Sequence, residues 1–157
     1  MAGFAGAARA EDVMLEPIHI NDAKSCREVL TDFAWTCDEF DRPHWREFIE
    51  AMDGESKSFW EKYDASAAIR DLDLDGRDDL ILRVRSALTC GINECESYIF
   101  FADIPSSGTR KAVSIRNGGH LIYYRVSSGR PEIRFEDANW LDVNDLKKHL
   151  QPAILFK

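Results

Sequence analysis

Five aspartates crowd into nine residues at Asp71-Leu72-Asp73-Leu74-Asp75-Gly76-Arg77-Asp78-Asp79. So many carboxylates in one short stretch repel one another unless water or a cation screens them. Asp71, Asp73, Asp75 and Asp79 occupy positions 1, 3, 5 and 9 of a loop, and a tight turn can bring all four oxygens inward. The backbone carbonyl of Arg77, at position 7, can join them, and Gly76 supplies a turn that a side chain would obstruct. Hard oxygen ligands at this spacing suit calcium, which takes 6–8 of them in flexible geometry. Magnesium fits less well, because it holds its waters and rarely sits in an all-protein cage.

Asp71 to Asp79 resembles the Asp-x-Asp-x-Asp-Gly-x-x-Asp calcium loop of FG-GAP and VCBS-type repeats, found in integrin-like propellers and many secreted bacterial proteins. An EF-hand fits worse, because position 12 is Leu82 where a bidentate Glu belongs. Residues 65–70 before the loop read as extended, and residues 80–85 after it as a half-buried strand. One copy is present, whereas a propeller needs several, so the resemblance implies the loop and its strands and not the propeller. A second resemblance lies just downstream. Cys90-Gly91-Ile92-Asn93-Glu94-Cys95, followed by Tyr98-Ile99-Phe100-Phe101, is similar to small exported bacterial proteins, periplasmic or lipid-anchored, and implies export.

Export also fits the first ten residues, which are small and apolar and end in Ala8-Arg9-Ala10, an A-x-A cleavage pattern. Residues 1–10 are therefore expected to be a signal-peptide remnant or a disordered tail, and residues 11–157 one domain, periplasmic or secreted. Four cysteines allow three pairings. The local spacings favour Cys26–Cys37, across the end of a helix, and Cys90–Cys95, around a small Gly-containing loop. Zinc and thioredoxin-like redox chemistry both lack their C-x-x-C. A formal net charge of −8 disfavours nucleic acid and anionic membranes as partners. No apolar run reaches the roughly 18 residues of a transmembrane helix.

Other catalytic signals are sparse. His19, His44, His120 and His149 share no ligand spacing, and no G-x-S-x-G elbow, P-loop or G-x-G-x-x-G is present. Glu47, Glu50, Glu55 and Glu61 offer carboxylates for sugar chemistry but read as solvated helix faces. Trp35, Trp45, Trp60 and Trp140 offer a carbohydrate platform but read as core.

The elements that must hold the loop divide into a helical N-terminal third and a strand-rich remainder. Asn21 is placed to cap a helix over residues 22–33. Pro43 opens a second helix in which Trp45, Phe48, Ile49 and Met52 form a stripe that Gly54 ends. Strands are expected near 65–70, 80–86, 97–102, 112–116, 121–126 and 132–135. Asn117-Gly118 marks a tight hairpin between the fourth and fifth of these. Asp142 caps a short last helix ended by Pro152. The expected class is α+β, with N-terminal helices packed on an antiparallel sheet of five to seven strands. The function expected is a non-enzymatic, exported calcium-binding protein that recognises another protein, such as an inhibitor or immunity protein against a secreted toxin or cell-wall hydrolase. Its recognition loops are expected at 86–96 and 103–110. The alternative is a small secreted hydrolase or glycan-binding protein with a calcium-stabilised fold.

Overall fold

A computed structural model of the chain describes residues 12–104, 110–117, 121–136 and 138–153. Two short strands, β1 (Val13–Leu15) and β2 (Ile18–Ile20), precede the helices α1 (Ala23–Val29), α2 (Ala34–Phe40), α3 (Pro43–Asp53) and α4 (Phe59–Lys62). Strands β3 (Asp64–Arg70), β4 (Asp79–Arg85), β5 (Cys95–Phe100) and β6 (Lys111–Asn117) follow, then β7 (Ile122–Ser127) and β8 (Arg130–Phe135). Then come β9 (Leu141–Asp142), α5 (Val143–Leu146), a 3-10 turn over Lys147–His149, and β10 (Gln151–Pro152). The class is α+β. All pairings are antiparallel, in a six-stranded sheet ordered β10-β6-β5-β4-β3-β2 and a four-stranded sheet ordered β1-β7-β8-β9.

The six-stranded sheet is apolar on both faces. Ala65, Ala67, Leu80, Leu82, Val84, Tyr98 and Phe100 pack with the helical residues Cys26, Leu30, Phe40, Trp45, Ile49 and Phe59. Ala68, Ile81, Ile99 and Val113 pack with Leu15, Ile122, Tyr124, Ile133 and Phe135 of the other sheet. Residues 80–85 were expected to be half-buried, but Leu80-Ile81-Leu82 is covered on both sides. The unbroken apolar run, rather than strict alternation, was the sign of a two-sided core strand.

Several boundaries move for physical reasons. Asp22, not Asn21, caps α1, its Oδ1 accepting from Ser25 N at 2.6 Å. The helix expected over 22–33 breaks at Leu30, and Thr31–Phe33 is a 3-10 turn. Cys26 and Cys37 are disulfide-bonded with Cα atoms 5.9 Å apart, whereas eleven residues of unbroken helix would hold them about 16 Å apart. α3 keeps its predicted Pro43 start, and Gly54 ends it at φ 76°. Trp45 and Ile49 are buried there, but Met52 points to solvent.

The strands flanking Asn117-Gly118 do not form a hairpin. β6 pairs with β5 and β10, while β7 pairs with β1 and β8. Gly118, Gly119 and His120 lie outside the described residues, as do residues 1–11, with the expected signal-peptide remnant, and residues 105–109 of the expected 103–110 loop. The tight hairpin is instead β7–β8, where Ser127 pairs with Arg130 across Ser128 and Gly129, both at positive φ.

Candidate metal centre

The Asp loop connects β3 to β4 beyond their last pair, Arg70 with Asp79. Leu74 and Gly76 adopt positive φ, 63° and 88°. A Cβ at Gly76 would meet none of the described residues within 4 Å, so glycine serves the backbone conformation there. Asp71 braces the turn, accepting from Asp75 N (3.1 Å) and Gly76 N (2.8 Å). Asp75 accepts from Arg77 N at 2.8 Å, and the Arg77 guanidinium turns back to within 3.4 Å of it.

Asp79 is fully buried and ties the loop to its surroundings. Its two oxygens accept from Leu72 N (2.9 Å) and Ala102 N (2.8 Å). Burial pushes its carboxyl up to about 6, against the pull of those two N–H groups, and the charges of Asp73 and Asp75 push the same way. Leu72 is itself buried, and its carbonyl accepts from the Tyr124 hydroxyl at 3.1 Å.

Asp73 is different. Its side chain is only 3 % exposed, with Oδ2 accepting from Lys147 Nζ at 2.8 Å. Among the described residues, its buried Oδ1 has no hydrogen-bond partner. A buried carboxylate oxygen with nothing on it is costly, and a cation would satisfy it. Two acidic triads meet at this residue. Oxygens of Asp71, Asp73 and Asp79 lie within 4.8 Å of one another, and so do oxygens of Asp73, Asp75 and Asp103. An ion held at 2.3–2.6 Å leaves its ligands at most about 5 Å apart, so the oxygens of each triad lie close enough to share one. Acidic groups of this kind can hold a metal ion.

Of the residues named from the sequence, Asp71, Asp73 and Asp79 therefore converge, while Asp75 groups with Asp73 and with Asp103. Arg77 contributes its N–H and guanidinium to Asp75. Asp103 and Lys147 were not anticipated: they stand 30 and 74 residues from Asp73, and only the tertiary fold brings them to it.

Both expected disulfides are present, Cys26–Cys37 and Cys90–Cys95, and no described cysteine is free. The second closes a loop braced by Gly91 N to Glu94 O (2.7 Å) and Glu96 N to Thr89 O (2.8 Å). Ile92 at its tip is 99 % exposed. A groove of about 710 Å³ beside it is lined in part by His19, Arg83 and Arg85. The tryptophans are engaged by the protein itself. Trp45 is core, Trp60 packs on Phe40 and Phe59, Arg110 covers the face of Trp35, and Arg125 and Arg134 lie over Trp140. Among the described residues, no helix is long and apolar enough to cross a membrane. Protein-family models, curated proteins and solved structures all return no match to this chain.

Proposed function

We propose that this chain is an exported, non-enzymatic calcium-binding protein that recognises another protein, acting as a periplasmic inhibitor or immunity protein against a secreted toxin such as a cell-wall hydrolase. The observation that carries the metal reading is Asp73 Oδ1, buried among converging carboxylates and without a hydrogen-bond partner among the described residues. Calcium is favoured over magnesium because a cage built wholly of protein carboxylates suits it, whereas magnesium holds its waters. The ion's role is structural, because Asp79 is locked by two backbone N–H groups rather than presented to solvent. The recognition element is the loop closed by Cys90–Cys95. An aliphatic side chain held out on a stiffened loop suits insertion into a partner's apolar recess, and preorganisation lowers the entropy lost on binding.

The test has two arms. Calcium should raise the thermal midpoint above that in chelator, and Asp73→Ala with Asp75→Ala should abolish the difference. Stabilisation of about 2.7 kcal/mol is expected at a hundredfold excess over Kd. An unchanged wild-type midpoint would sink the metal reading. Inhibition of a wall-degrading hydrolase, lost in Ile92→Asp while the calcium response survives, is the expected result for recognition. Turnover of a glycan, peptide or ester that the Asp-loop variants lose would establish the hydrolase alternative instead.

A further inference from the structure

We infer that the cation site extends beyond the Asp loop to Asp103, and that the Lys147 ammonium occupies this outer position as a tethered competitor which calcium must displace. The inference rests on the metal reading above and adds to it a ligand and a built-in rival. Lys147 Nζ lies 2.8 Å from Asp73 Oδ2 and 2.8 Å from Asp103 Oδ2, so it bridges two members of the Asp73–Asp75–Asp103 triad. A lysine in that place does a cation's work: it neutralises a carboxylate that is almost wholly buried.

The compensation is incomplete. Lys147 satisfies Oδ2 of Asp73 and leaves the buried Oδ1 without a partner among the described residues. An ammonium offers three donors from one point, whereas calcium accepts 6–8 oxygens and can draw on both oxygens of one carboxylate. Lys147 Nζ is bonded to two of the three carboxylates that would hold a shared divalent ion, so ion and ammonium contend for the same groups and repel each other.

Lys147 reaches the site from the 3-10 turn that follows α5, passing 5.0 Å from the Phe101 ring centroid. Val143 of α5 is fully buried. Calcium entry therefore expels the lysine side chain into solvent while the helix stays docked. Binding free energies are reciprocal, so Lys147 weakens calcium by the same factor as calcium weakens the Lys147 contact.

The experiment titrates calcium calorimetrically into the wild type, Lys147→Met, Lys147→Arg, and Lys147→Met combined with Asp103→Asn. Alongside, acetylation of Lys147 is followed by peptide mass spectrometry with and without calcium. Expected are a tightening of at least fivefold in Lys147→Met, within the usual range of coupling factors, and affinity near wild type in Lys147→Arg. Asp103→Asn should weaken binding in the Lys147→Met background, and calcium should increase acetylation of Lys147 in the wild type. Calcium binding by the wild type with no tightening in Lys147→Met overturns this inference and leaves the metal reading standing. An Asp103→Asn change without effect in that background also overturns it. Absence of calcium binding by the wild type overturns the two together.

Discussion

Asp79 is a structural pin that also belongs to an acidic cluster able to hold a cation. Two backbone N–H groups hold its carboxyl in a place with no solvent exposure, yet burial drives it up to about 6 from an ordinary 3.8. A carboxyl whose folded value is raised contributes stability below its unfolded value and loses it as pH rises through the folded one. For the calcium-free protein, Asp79 therefore contributes most below about pH 4, and that contribution is gone by pH 7. Raising a carboxyl from 3.8 to about 6 corresponds to about 3 kcal/mol. Calcium needs the ionised form, so below about pH 6 the proton competes with it. The melting midpoint in calcium and in chelator should thus differ most near pH 7 and converge towards pH 5. Equal gaps at pH 7 and pH 5 would show that Asp79 is not coupled to the ion. Asp79's place in the site was legible because its position 9 is local. Lys147 was not, since nothing in the spacing of Lys147 and Lys148 separates a lysine that caps a carboxylate from one in solvent.

At the scale of elements, strands β3, β4 and β5 were readable because each carries its own apolar residues between turn signals. The strands β1 and β2 were not. Each has three residues and buries only the last, so their identity comes from pairing with Ile122–Tyr124 and Ala65–Ala67. Asn117-Gly118 misled for the opposite reason: the dipeptide permits a tight turn, but the apolar residues around it belong to different sheets. Helix α1 was read too long because its stripe continues through Leu30 and Phe33, both buried, in a segment that the disulfide forces to bend. That constraint has a measurable consequence. Cys26 and Cys37 are both fully buried and close the longer loop. Loop-closure entropy gives about 3 kcal/mol for that bridge and about 2 kcal/mol for Cys90–Cys95, and truncating buried sulfurs adds a cavity term. Urea unfolding should place Cys26→Ala with Cys37→Ala well below Cys90→Ala with Cys95→Ala. The reverse order would mean that the exposed loop, not the helical corner, is the stronger constraint.

For the molecule as a whole, the Asp loop lies where four parts meet. It belongs to the six-stranded sheet, the middle layer, reaches the segment after β5 through Asp79 and Ala102, and reaches the four-stranded sheet through Leu72 and Tyr124. Lys147 adds the C-terminal segment. Leu72 is fully buried in the cluster between the sheets, so the loop cannot loosen without disturbing that core. An ion bound here should stabilise the sheets jointly, and calcium should move a single cooperative transition. At 2–4 °C per kcal/mol for a chain of this size, 2.7 kcal/mol corresponds to about 5–10 °C. Tyr124→Phe separates this architecture from ion binding itself. Its hydroxyl is a tie to the Leu72 carbonyl and not a ligand, so its loss should cost about 1–2 kcal/mol and lower the midpoint in calcium and in chelator alike. The calcium shift should stay the size of the wild type's, because every carboxylate remains. Hydrogen exchange should then show β4 and β7 opening together in chelator. Were β7 to open first while β4 stayed protected, the loop would belong to the middle sheet alone, and calcium would stabilise only that layer.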